Sequence, residues 1–94
     1  MVYGKYTIMS NIVTIFGKYD CGFCEKAKEL CEDYRLPYEY KDIAEFQNLE
    51  EMMNLFPKTK TVPQIMWNSR KIGSYTEFAT EIENTIGGYG ENVI

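Results

Sequence analysis

Short apolar runs alternate with longer amphipathic segments along this chain, which predicts a βαβ unit followed by a hairpin and a final helix. Residues 11–16 (Asn-Ile-Val-Thr-Ile-Phe) are a β-branched run suited to a buried central strand. After a turn over residues 17–20, Cys24, Ala27, Leu30, Cys31 and Tyr34 recur at helical spacing. Glu25, Lys26, Lys28, Glu29 and Glu32 take the opposite face. A helix is therefore expected from Gly22 to about Arg35, stopped by Pro37. Residues 38–43 alternate aromatic and charged side chains and predict a second strand, parallel to the first because a helix joins them.

The second half continues the alternation. A helix is expected from residue 44 or 45 to Phe56, with Phe46, Leu49, Met53 and Phe56 as its apolar stripe and Pro57 at its end. The polar stretch from Lys58 to Thr61 leads into Val62-Pro63. Gln64 to Trp67, a turn at Asn68-Ser69, and Lys71-Ile72 read as a hairpin. A last helix follows, with Thr76 as N-cap, Phe78, Ala79, Ile82 and Ile86 inward, and Gly87-Gly88 as terminator.

Composition narrows the classes of function. Ninety-four residues suit one domain with a modest core, here residues 11–87, between an N-terminal extension (1–10) and a C-terminal tail (88–94). The net charge is −4 and Lys and Arg are scattered, so nucleic-acid binding has no electrostatic footprint. No run reaches the length of a membrane span, and residues 1–10 hold no apolar signal-peptide core. The expected location is a reducing cytoplasm.

The candidate chemistry lies in Cys21-Gly22-Phe23-Cys24. Two thiols at this spacing, after a strand and at the start of a helix, can make and break a disulfide with little backbone movement. The first sits where unpaired N–H groups and the helix dipole favour the thiolate, the form that attacks disulfides. Asp20 opposes that ionisation, at small cost if exposed to solvent. Cys31 falls on the apolar face and reads as core. With no histidine and three cysteines in all, a zinc site lacks its second pair of ligands, and no metal is expected.

At this point the chain resembles the glutaredoxins. Lys18 stands three residues before the first thiol, Cys21-Gly22-Phe23-Cys24 follows, Thr61-Val62-Pro63-Gln64-Ile65 is similar to the family's T-V-P segment, and Ile72-Gly73-Ser74-Tyr75-Thr76-Glu77 to its I-G-G segment. The resemblance spans about residues 11–87 and is to a small dithiol member of bacterial or bacteriophage type. It implies a thioredoxin-like α/β fold: a four-stranded mixed sheet flanked by three helices. It further implies a glutathione-dependent thiol–disulfide oxidoreductase, with Cys21 as nucleophile and Cys24 as resolving thiol. Glutathione would be the reducing cosubstrate, no cofactor would be tightly bound, and Pro63 would be cis. Lys18, Phe23, Lys60, Thr61, Val62, Pro63, Tyr75 and Thr76 would bind glutathione, the two lysines at its glycyl carboxylate and the Tyr75-Thr76 turn at its γ-glutamyl carboxylate.

Partners implied are disulfide-containing proteins, ribonucleotide reductase among them, met by a monomer. Departures from the pattern are Gly22 and Phe23 in place of proline and tyrosine, threonine at position 76 where many members carry aspartate, and Glu50 where an ungapped alignment expects glutamine. Three alternatives stay open, one of them a non-catalytic interaction domain, which would need an unreactive Cys21. Two chains could share an iron–sulfur cluster through Cys21 and two glutathiones, for which the Gly-Phe filling speaks. A thioredoxin-like reductant could instead be served by a flavoprotein reductase; the absence of tryptophan before Cys21 speaks against it.

Overall fold

A computed structural model describes residues 12–87, so the predicted extension at 1–10, the tail at 88–94 and the terminator Gly88 lie outside the described residues. The elements run β1 (Val13–Gly17), α1 (Gly22–Asp33), β2 (Tyr38–Asp42), α2 (Phe46–Leu55), β3 (Gln64–Trp67), β4 (Arg70–Gly73) and α3 (Tyr75–Ile82), which passes into a wider π turn over Glu83–Gly87. The strands form one sheet in the order β2-β1-β3-β4. β1 is parallel to β2 and antiparallel to β3, and β3 is antiparallel to β4. This mixed four-stranded sheet with three helices is the thioredoxin-like arrangement.

Register explains the layers. Val13 and Ile15 pair with Trp67 and Ile65, and these four buried side chains share a core with Ala27 and Cys31 of α1 and Phe78 and Ile82 of α3. Trp67 and Phe78 meet edge to face at 5.8 Å, a geometry worth about 0.5–1.5 kcal/mol beyond the area it buries. α2 packs against β1 and β2, and Met52 is its buried residue. The hairpin closes through two residues at positive φ, Asn68 (58°) and Ser69 (70°), the turn that matches the twist of the flanking strands.

Three expectations are corrected. The apolar stripe of α2 is rotated: Phe46 is 73% exposed and Met53 52%, whereas Met52 is 2% exposed. α1 ends at Asp33, well before Pro37, and proline does not end it. Arg35 at φ 57° donates to Glu32 O (3.1 Å), and Leu36 donates to Cys31 O (2.8 Å). That pair of bonds is a Schellman motif with arginine in the left-handed position. The N-cap of α3 is Ser74, not Thr76, and it forms a capping box with Glu77.

Candidate active site

β1 delivers the chain to the site through Lys18 and Tyr19 to Asp20, whose φ of 61° turns it into α1. Aspartate tolerates that conformation better than most residues. Cys21 is the N-cap, with extended backbone (φ −124°, ψ 112°), and its Sγ accepts a hydrogen bond from Cys24 N at 3.2 Å. The two sulfurs are joined as a disulfide, their Cα atoms 5.2 Å apart. Cys21 is partly exposed while Cys24 is completely buried. An incoming thiolate therefore reaches Cys21, and the buried sulfur is the leaving group.

Opposite this pair lies the segment before β3. The Val62–Pro63 bond is cis, and Val62 O is 4.0 Å from Cys21 Sγ. Gln64 holds this segment in place: it is 4% exposed, and its Nε2 donates to Thr61 O (3.0 Å) and Thr59 Oγ1 (3.2 Å). No feature of the sequence pattern singled Gln64 out, since it opens a strand and reads as an ordinary strand residue. The residue's burial is what gives it weight, because a buried amide needs partners.

A third element closes the site. Gly73 turns the chain at φ 117°, and Ser74 caps α3, its N–H donating to Glu77 Oε1 at 2.7 Å and its hydroxyl to the same oxygen at 3.2 Å. The first-turn N–H groups of Tyr75 and Thr76 follow. Phe23, Val62, Pro63, Ser74, Tyr75 and Thr76 line a groove of about 180 Å³ beside Cys21. The Phe23 and Tyr75 rings lie 5.8 Å apart across it, and Phe23 is 57% exposed.

The predicted site residues thus divide. Phe23, Val62, Pro63, Tyr75 and Thr76 come together in the groove, and Ser74 joins them unpredicted. Its signal was readable, as Ser74-Tyr75-Thr76-Glu77 is an S-x-x-E capping pattern. Lys18, Lys60 and Thr61 do not line the groove, and neither does Glu50, which is exposed on α2. Lys18 contributes its carbonyl to Tyr40, and Thr61 turns to Gln64.

Cys31 is fully buried, and burial, reinforced by Glu32, pushes its thiol up to about 12. It is a core residue. Among the described residues no cluster of three or more His, Cys, Asp or Glu could hold a metal ion, and no helix is long and apolar enough to cross a membrane. A cluster shared between two chains would find one reachable sulfur per chain, Cys21.

A profile described as Glutaredoxin matches residues 13–72. Glutaredoxin-1 of Ectromelia virus is 37% identical over 83 residues, covering 82% of this chain and 76% of the relative; Glutaredoxin-1 of Vaccinia virus is 36% identical over the same coverage. The structure of reduced Escherichia coli glutaredoxin superposes with a TM-score of 0.65 at 29% identity, over 81% of this chain and 98% of that one. A buckwheat glutaredoxin–glutathione complex superposes with a TM-score of 0.67 at 17% identity, over 88% of this chain and 78% of its own.

Proposed function

Since the chain belongs to the glutaredoxin family and is a thiol–disulfide oxidoreductase with a Cys21–Cys24 pair, we propose that it reduces protein disulfides and glutathione mixed disulfides at the expense of glutathione. The observation that carries this reading is the placement of Cys21 Sγ: it caps a helix, is partly exposed, and lies 4.0 Å from the carbonyl of Val62, whose residue lines the groove.

The cycle follows from those positions. Cys21 thiolate attacks a substrate disulfide, one sulfur of the substrate bonds to Cys21, and the other leaves. Cys24 then attacks Cys21 Sγ, releases the reduced protein and leaves the internal disulfide. Two glutathiones restore the dithiol, the first bonding to Cys21 and the second resolving that mixed disulfide. Val62 would pair its main chain with the tripeptide's extended backbone, in the manner of strand addition. The N–H groups of Tyr75 and Thr76 would hold the γ-glutamyl carboxylate, as helix N-termini hold anions. Phe23 would form an apolar wall. Lys18 and Lys60, outside the groove, would act at longer range on the glycyl carboxylate.

The protein partners are disulfide-containing proteins, ribonucleotide reductase among the candidates, and the working compartment is a reducing cytoplasm, where the chain acts as a monomer. The test is glutathione-coupled reduction of a small disulfide, run on the wild type and two variants. Cys21→Ser should lose all turnover, and Cys24→Ser should keep turnover of small glutathione mixed disulfides. A protein that ignores glutathione and accepts electrons from a flavoprotein reductase would overturn the reading.

A further inference from the structure

Reduction of the internal disulfide creates a problem at Cys24. An attacking thiolate forms a bond to Cys21 Sγ, the Cys21–Cys24 bond breaks, and its electron pair leaves on Cys24 Sγ. That sulfur has no exposure to solvent, and a negative charge appearing there must be met by a protein donor.

β2 supplies one. Tyr40 pairs with Ile15 across β1 and β2, so its side chain lies on the face that α1 covers. A Cβ built on Gly17 would collide with the Tyr40 hydroxyl and stand 2.9 Å from Cys24 Sγ. The phenol oxygen and the sulfur therefore flank the same space, the one that the missing side chain of Gly17 leaves open. In the disulfide state the hydroxyl donates to Lys18 O at 3.0 Å. In the reduced state, turning the hydroxyl toward the space at Gly17 would direct the same hydrogen to the sulfur.

We propose that the Tyr40 hydroxyl is the hydrogen-bond donor that stabilises the departing Cys24 thiolate. The ring is held for this task. Lys28 Nζ lies 4.3 Å above it and is tied to Glu25 at 3.1 Å. Burial raises the Tyr40 hydroxyl above the ordinary phenol range, and Glu25 and Asp42 add to that, so it remains protonated at neutral pH. Tyr40 keeps its own proton throughout. The proton that finally neutralises Cys24 comes from the medium and balances the one lost by the attacking thiol.

This inference rests on the Cys21–Cys24 cycle proposed above, but its test uses dithiothreitol, so it is read independently of glutathione. Tyr40→Phe keeps the ring and the Lys28 contact and removes only the hydroxyl. A hydrogen bond to a charged group is worth enough that reduction of the internal disulfide by dithiothreitol should slow about tenfold. In the Cys24→Ser background, Cys21 is loaded as a mixed disulfide with a small thiol, and there is no buried leaving group. Adding Tyr40→Phe there should leave release by dithiothreitol within about twofold. An unchanged rate for the internal disulfide, or an equal fall in both backgrounds, would overturn the proposal.

Discussion

The main-chain N–H of Cys24 points at the sulfur of Cys21 from 3.2 Å. It is one of the donors that a helix start leaves unpaired, so a residue that normally needs a serine or aspartate cap is capped here by sulfur. An N–H donor favours an ionised acceptor, and the helix dipole adds to it. In the reduced protein, iodoacetamide should label Cys21 rapidly at pH values where a free cysteine, with its pKa of about 8.5, is mostly protonated. Labelling that follows the free amino acid would remove the physical basis for Cys21 as nucleophile.

Gly22, the first helical residue after that cap, has open space around it: a Cβ there would meet nothing within 4 Å. Its glycine is not required by packing. Gly22→Ala should stabilise the fold by about 0.5–1 kcal/mol by reducing the freedom of the unfolded chain. Gly22→Pro should be tolerated too, since proline suits this helical position. Urea midpoints of the two variants test this; a loss of stability in both would mean that the site needs glycine for another reason.

Gly73 behaves oppositely. Its φ of 117° is strained for any other residue, and a Cβ would collide with the Glu77 carboxylate that caps α3. Gly73→Ala should cost about 1–3 kcal/mol. Ser74→Ala, which removes only the cap hydroxyl, should cost about 1 kcal/mol. Because Ser74, Tyr75 and Thr76 line the groove, the proposed glutathione-dependent activity predicts that Gly73→Ala also raises the KM for glutathione, with Cys21 labelling unchanged.

These glycines also mark where sequence reading succeeds and fails. The strands and the Asn68-Ser69 turn were legible, because β-branched runs and turn residues impose their conformation locally. Much of α1 was legible too, as Cys24, Ala27 and Cys31 fall on one face and are all buried. α2 was not. It is ten residues long with adjacent methionines, and the stripe was phased on Phe46 and Phe56, which turn out to be its first residue and its C-cap. Terminal aromatics carry little information about which face is buried, and Met52 rather than Met53 faces the sheet. At the site, motif and resemblance offered Cys21, Phe23, Val62, Pro63, Tyr75 and Thr76, and the last five line one groove. Gln64 and Tyr40 were invisible: Gln64 turns its buried amide back onto Thr59 and Thr61 of the loop before it, which a strand pattern does not announce, and Tyr40 acts through a tertiary contact to Lys18, distant in sequence. Lys18 and Lys60 were offered by the resemblance and by their charge, and neither lines the groove.

The buried thiol of Cys31 links stability to pH. Burial raises it from an ordinary value of 9.0 to about 12 in the folded protein, with Glu32 adding to the effect. Between those values the unfolded chain has lost this proton and the folded chain has kept it. The folded state binds more protons there, so stability must fall as pH rises. The contribution is complete below about 9 and is lost progressively up to about 12. Tyr38 and Tyr40 are also raised, each first by burial, and steepen the same limb. Comparison with Cys31→Ala isolates the cysteine. That variant should start less stable at pH 8, having lost packing in the core beside Ile15 and Phe78. Its urea midpoint should then decline more gently than the wild type's as the pH is taken to 11, measured on the reduced proteins. Parallel declines would show that the Cys31 proton plays no part, and that the alkaline loss belongs to the tyrosines.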